Sequence, residues 1–124
     1  MDQTFARRYR LTKTDEFSSV FGFRKAIRGQ LLMLHYQPRP PAETTARLGL
    51  VVGKKFLKRA VDRNRCKRLL REQFRQERGN LPACDLVARL AVKPGKLDAA
   101  VLVGDFLALL GKLRRFPKPG ESGA

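Results

Sequence analysis

The sequence contains no tryptophan, a single histidine (His35), and only two cysteines (Cys66 and Cys84). Two lone cysteines with no metal-ligand spacing around them leave little room for a zinc site. They read as small buried hydrophobes in a reducing compartment and not as a disulfide. With one histidine there is no Ser/His/Asp or Cys/His set for nucleophilic catalysis. His35 lies mid-strand beside Tyr36, which suits a packed or edge histidine better than a general base. Acidic residues are scarce as well, 11 against 27 lysines and arginines. A nuclease acting alone through metal ions needs clustered carboxylates, and the adjacent pair Asp15 and Glu16 does not supply them. No early apolar run resembles a signal peptide and no apolar stretch is long enough to span a bilayer, so a cytoplasmic protein is expected.

What is present is charge of one sign. The formal net charge is +16 over 124 residues, whereas the apolar fraction of 43% is that of an ordinary folded domain. One domain with a modest core is expected over residues 1–115, followed by a disordered tail, 116–124. Self-repulsion at this charge costs stability, which a polyanionic partner would relieve. Nucleic acid is the first candidate and an anionic membrane surface the second. Membrane-surface binding usually needs bulky apolar residues along the edge of a basic helix. The basic segment here has few, so no membrane partner is expected.

Along the chain, Thr14 precedes Asp15 and Glu16 as a plausible helix cap, Phe17, Val20 and Phe21 follow at helical spacing, and Gly22 is the expected stop. Residues 23–28 suggest a weak strand, "QLLMLHYQ" (30–37) a strand apolar on both faces, and "RLGLVVGKK" (47–55) a second strong strand, with a proline-rich loop between. A long helix is expected from about Leu57 or Ala60 to Arg78, with Gly79 as its stop. "CDLVARLAV" (84–92) is the last strand, Lys93-Pro94-Gly95 a turn, and 98–114 an amphipathic helix. Strand, long helix, strand from 47 to 92 makes a crossover whose two strands could be parallel. The class is α+β, a small mixed four-stranded sheet with about three helices.

The long helix carries the functional signal. Residues 54–78 hold 11 basic and 3 acidic side chains, half of the net charge of the whole chain. On a helical wheel Cys66, Leu69, Leu70 and Phe74 share an arc that can dock on a sheet. Asn64, Arg68, Arg71 and Arg75 lie opposite, with Lys67 and Arg78 extending that face. Like charges three and four apart disfavour the isolated helix. Only Asp62, Glu72 and Glu77 offset them, too few for a merely solvated face. Arginine, favoured over lysine within the helix, suits bidentate phosphate contacts and stacking on bases. Strands flank this helix where a helix-turn-helix protein would have a second helix. Gripping folded RNA by shape and phosphate is the better match. Composition alone leaves open a ribosomal or other structural RNA-binding protein.

The ordered motif narrows this. "RLGLVVGKKFLKRAVDRNRCKRLLREQFR" (47–75) closely resembles the signature of the bacterial ribonuclease P protein component, whose core motif is matched by Arg63-Asn64-Arg65, Lys67-Arg68 and Arg71-Glu72. "RYRLTKTDEFSSVF" (8–21), "LLMLHY" and "CDLVARLAV" resemble further stretches of that family, so the likeness covers roughly residues 5–113. The resemblance implies a left-handed βαβ crossover, against the usual right-handed rule. It also implies a protein subunit of a ribonucleoprotein that removes 5′ leaders from precursor tRNA. The large RNA would perform the cleavage with bound Mg2+, no further protein partner being required. Such a subunit would be inactive alone and would contribute no catalytic residue.

Carried over residue by residue, the resemblance implies two RNA surfaces. Arg63, Asn64, Arg65, Lys67, Arg68 and Arg71 would contact the catalytic RNA. Phe17, Phe21, Tyr36, Lys54 and Lys55 would line a central cleft for the single-stranded leader, where aromatics stack on bases and lysines attract phosphate. Phe17 and Phe21, four apart, read equally as core packing. No metal ligand can be assigned; Asp15, Asp62 and Glu72 are candidates only by their closeness to basic segments. Three positions depart from the family pattern. Gly53 stands where many members carry Ser or Ala, Cys66 replaces a branched apolar residue, and Asp62 adds a negative charge that would cap a helix end or restrain Arg63 and Arg65.

Overall fold

The computed structural model describes residues 9–11, 13–40, 42, 43, 45–93 and 98–114. The expected tail, 116–124, and most of the turn after Lys93 lie outside these residues. Three helices and four strands follow one another as α1 (Thr14–Phe23), β1 (Ala26–Arg28), β2 (Leu32–Pro38), β3 (Arg47–Val51), α2 (Ala60–Glu77), β4 (Cys84–Leu90) and α3 (Ala99–Arg114). The sheet order is β1-β2-β4-β3. β1 with β2 and β2 with β4 are antiparallel, whereas β3 and β4 are parallel neighbours joined through α2. The fold class expected from sequence is the one observed.

Side-chain alternation along the strands assigns the two faces. Leu32, Leu34, Leu48, Leu86, Ala88 and Leu90 point into the main core, against Cys66, Leu70 and Phe74 of α2 and Leu102, Phe106, Leu109, Leu110 and Leu113 of α3. Cys66, Leu70 and Phe74, spaced by four, are the fully buried stripe of an otherwise polar helix. Burial pushes the Cys66 thiol up to about 11 and that of Cys84 up to about 12, as fits inert core cysteines. The opposite face carries Gly49, Val51, Val87 and His35, and α1 covers it with Phe17, Val20 and Phe21.

One polar contact is built into the core. Asp105 of α3 is buried and accepts three backbone hydrogen bonds from the turn entering β2. These come from Gln30 at 2.8 Å, Leu31 at 2.9 Å and Leu32 at 2.9 Å. A Cβ at Gly29 would sit 2.5 Å from that carboxylate, so only glycine admits it there.

Three helix ends differ from the sequence reading, the first being that Thr14 is the first residue of α1 and not its cap. α1 begins after Lys13, whose backbone N–H donates to Glu16 Oε1 at 3.1 Å. Gly22 does not end α1; the helix closes at Arg24, left-handed at φ 63°, whose N–H reaches the Phe21 carbonyl at 3.1 Å. α2 tightens into a 3-10 turn, Arg78–Asn80, so Gly79 sits inside a continued helical turn and not at a left-handed cap.

Candidate nucleic-acid interface

The strand register lays the α1-covered face out in three rungs. The middle rung aligns His35, Val87 and Gly49 across β2, β4 and β3. α1 crosses it, with Phe17 against Gly49, Val20 clustered with Val87, and the Phe21 ring meeting the His35 ring edge-on at 4.7 Å. The helix thus divides this face into two unlike halves.

On one side lies the rung Arg28–Met33–Arg89–Val51, running across all four strands. Arg89 is held flat along it: its Nε donates to His35 Nε2 at 3.4 Å and an Nη lies 3.2 Å from the Met33 sulfur. Burial, then the charge of Arg89, depresses the His35 pKa below 6.5, so the ring is neutral at pH 7 and can accept that bond. Lys54 and Lys55, both exposed, extend the chain beyond Val51, and Lys55 Nζ lies 5.0 Å from the Phe56 ring. This half is basic and edged by aromatic rings.

On the other side, the rung Gln37–Asp85–Arg47 opens into a polar cavity of about 570 Å³ lined also by Ser19, Pro38, Arg39, Pro40 and Glu43. Its arginines are already answered by acids. Arg47 pairs with both oxygens of Asp85, at 2.8 and 2.9 Å, and reaches Glu16 at 2.9 Å, and Arg39 meets Glu43 at 2.9 Å. The hydrogen bond to Asp85 raises the Arg47 pKa further. This half is a structural ion-pair network in which, among the described lining residues, both arginines are paired with acids.

Of the residues expected to form a leader surface, Phe17 and Phe21 belong to the α1 side of the sheet. Lys54 and Lys55 are exposed in the turn that follows β3, where Phe56 beside Lys55 packs on the main core. Tyr36 does not lie on the α1 side. It alternates with His35, pairs with fully buried Leu86, and packs on the core that α2 and α3 share. Partial burial there raises its pKa. The side chain that β2 brings to Phe21 is His35. Period-two alternation from Leu32 and Leu34 was the available signal for His35, and the same alternation along β4 points to Arg89.

The second candidate surface is α2. Asn64, Arg65, Arg68 and Arg75 are exposed on its outer side, while Lys67 and Arg71 are half-buried on one flank. Arg63 turns back to the chain entering the helix and donates to the Leu57 and Lys58 carbonyls at 2.9 and 2.8 Å. It therefore organises the helix start more than it extends the exposed face. Asp62 neither caps the helix nor restrains Arg63 or Arg65; its nearest cation is Arg59, 4.0 Å away. Both oxygens of Glu72 are engaged, by Arg75 at 3.1 and 2.7 Å and by Gln76 at 3.0 Å. Those bonds, that to Arg75 first, hold its carboxyl well below the usual carboxylate range, at about 2. Asp15 is exposed on the first turn of α1. Among the described residues no three His, Cys, Asp or Glu side chains gather to hold a metal ion. No helix among them is long and apolar enough to cross a membrane.

Fold and surface together define a small basic α+β domain that gathers unpaired arginine on one helix and puts an aromatic-edged basic strip on the far face of its sheet. The chain belongs to the ribonuclease P protein component family: the model of that family, Ribonuclease P, matches residues 5–114. Among relatives, the ribonuclease P protein component of Azoarcus sp. (strain BH72) is 54% identical over 112 residues, covering 90% of this chain and 92% of the relative. That of Aromatoleum aromaticum is 48% identical, covering 92% and 94%. The fold matches the RNase P protein of Thermotoga maritima with a TM-score of 0.71 at 28% identity, covering 83% of this chain and 96% of that one. The Staphylococcus aureus RNase P protein matches with a TM-score of 0.76 at 23% identity, covering 88% and 98%.

Proposed function

We propose that this chain is the RNA-binding subunit of a ribonuclease P ribonucleoprotein acting in the cytoplasm on the 5′ leader of precursor tRNA. The observation that carries this reading is the outer side of α2, where Asn64, Arg65 and Arg68 are exposed in a family-specific order and the nearby acid, Glu72, is committed to Arg75 and Gln76. That side takes the catalytic RNA. The strip beside α1 takes the single-stranded leader, with Phe17 and Phe21 as stacking edges, Arg89, Lys54 and Lys55 for phosphate, and His35, not Tyr36, as the β2 side chain beside Phe21. Leader cleavage is performed by the RNA with its own Mg2+, and the protein supplies binding and neutralises phosphate. The scarcity of free carboxylates near either surface supports that division of labour.

The test is affinity for a bacterial ribonuclease P RNA across a salt series. The double variant Arg65→Ala/Arg68→Ala is expected to bind at least about tenfold more weakly. Its log K against log salt slope should be shallower by roughly one to two, as loss of one or two phosphate contacts dictates. Unchanged affinity and slope in a folded variant would remove α2 from the interface.

A further inference from the structure

Arg47 and Arg89 flank the middle rung of the α1-covered face, and the two are held in opposite ways. Arg47 is answered by charge. Asp85 accepts from its Nε and Nη2 at 2.8 and 2.9 Å, and Glu16 of α1 accepts from its Nη1 at 2.9 Å. Arg89 meets only neutral groups. Its Nε donates to His35 Nε2 at 3.4 Å and its Nη2 to the Met33 sulfur at 3.2 Å. Among the described residues no carboxylate pairs with Arg89, and nothing takes the place that Glu16 holds on Arg47. Arg89 is half-buried, yet its Nη1 is open to solvent, since no nitrogen of this side chain is both buried and unmet.

A guanidinium carries five N–H groups in a rigid fork. In both arginines the edge formed by Nε and Nη2 is taken by neighbours on the sheet. On Arg47 the far end is closed by an acid; on Arg89 it is left as a pair of parallel N–H groups with the charge unneutralised. The clamp on Arg89 follows from strand register, which sets Met33 opposite Arg89 and His35 two residues further along β2. The His35 ring is itself fixed by the Phe21 ring, edge-on at 79°. A guanidinium held in this way has lost its rotational freedom before any ligand arrives, and two parallel N–H groups match two oxygens of a phosphate. We infer that Met33 and His35 are positioning residues, which clamp one edge of Arg89 so that its free end takes a single phosphate of the leader. His35 thus contributes to leader affinity through Arg89. That the phosphate belongs to the leader rests on the proposed function; the clamp does not.

The test uses the full chain assembled with a bacterial ribonuclease P RNA and reads the ratio of affinities for leader-bearing precursor and mature tRNA. Each variant is checked for folding by urea unfolding. Arg89→Gln is expected to lower the ratio about tenfold, as loss of a charge-assisted contact does. His35→Phe keeps a ring against Phe21 but removes the acceptor, and should lower it about threefold, the scale of one side chain set free. His35→Gln restores an acceptor and should recover most of that loss. Met33→Leu conserves volume and should show a smaller loss; an unchanged ratio removes Met33 from the clamp. In the Arg89→Gln background His35→Phe should cost nothing further. A full His35→Phe loss in that background, or equal losses from His35→Phe and His35→Gln, overturns the positioning role. With the unaltered protein, leader phosphates are then replaced one at a time by neutral methylphosphonate. One linkage should cost the wild type about tenfold and Arg89→Gln nothing. Equal costs in both, or a cost that follows the base and not the linkage, overturns the phosphate contact. A wild type with no preference for the precursor overturns the leader reading and this inference together. A preference that Arg89→Gln leaves intact overturns this inference alone.

Discussion

Phe17 of α1 rests on Gly49 of β3 so closely that a Cβ at position 49 would lie 2.6 Å from two carbons of its ring. The glycine is buried in the strand, where it costs β propensity. What it allows is the seating of α1 directly on the sheet, which fixes the ring that edges the basic strip.

Gly49→Val is therefore expected to expel Phe17 from its seat. Overpacking of this kind costs about 1–3 kcal/mol, readable as a lower urea midpoint with unchanged slope. In the folded fraction, binding of leader-bearing precursor tRNA should weaken more than binding of mature tRNA. Equal losses for both would return Phe17 to a purely packing role.

Asp105→Ala leaves the N–H groups of Gln30, Leu31 and Leu32 without their acceptor. Orphaning the buried Leu32 donor alone costs about 1–3 kcal/mol, and the part-buried Gln30 and Leu31 donors add to it, so a marked loss of stability is expected. Asp105→Asn keeps one acceptor oxygen and should fall between it and the wild type in equilibrium unfolding. Gly29→Ala, which drives a methyl into the same carboxylate, should mimic the loss.

The pH response of the strip follows from His35, whose pKa in the folded chain is depressed below 6.5. The folded state thus binds the proton less readily than the unfolded state. Its contribution to stability is fully present above about pH 6.5, is lost as pH falls through the lower folded value, and then levels off. Protonation also removes the acceptor for Arg89 Nε and sets two positive charges together. Unfolding midpoints between pH 7.5 and pH 5 should decline in the wild type and flatten in His35→Gln over that window. A parallel decline in both would show that another group carries the effect.

The parts of this molecule that were legible in the sequence are those with a local cause. Cys66, Leu70 and Phe74 at intervals of four disclosed the buried stripe of α2, and the strand–helix–strand order from 47 to 92 disclosed the pairing of β3 with β4. The ordered motif after Lys54 disclosed the family. What depended on tertiary register was not legible. The insertion of β2 between β1 and β4 decides that His35 and not Tyr36 meets Phe21, because a one-residue slip exchanges the two faces of a strand. The end of α1 is not where Gly22 suggests, because Arg24 takes the left-handed position that glycine usually fills.

The central claim is that the protein serves an RNA catalyst. Its most direct test is 5′-leader cleavage of a precursor tRNA at low Mg2+ by a bacterial ribonuclease P RNA, with and without this chain. The account predicts that the protein alone cleaves nothing and that it raises cleavage by the RNA. A folded, RNA-binding protein that leaves the rate of the RNA unchanged would contradict it.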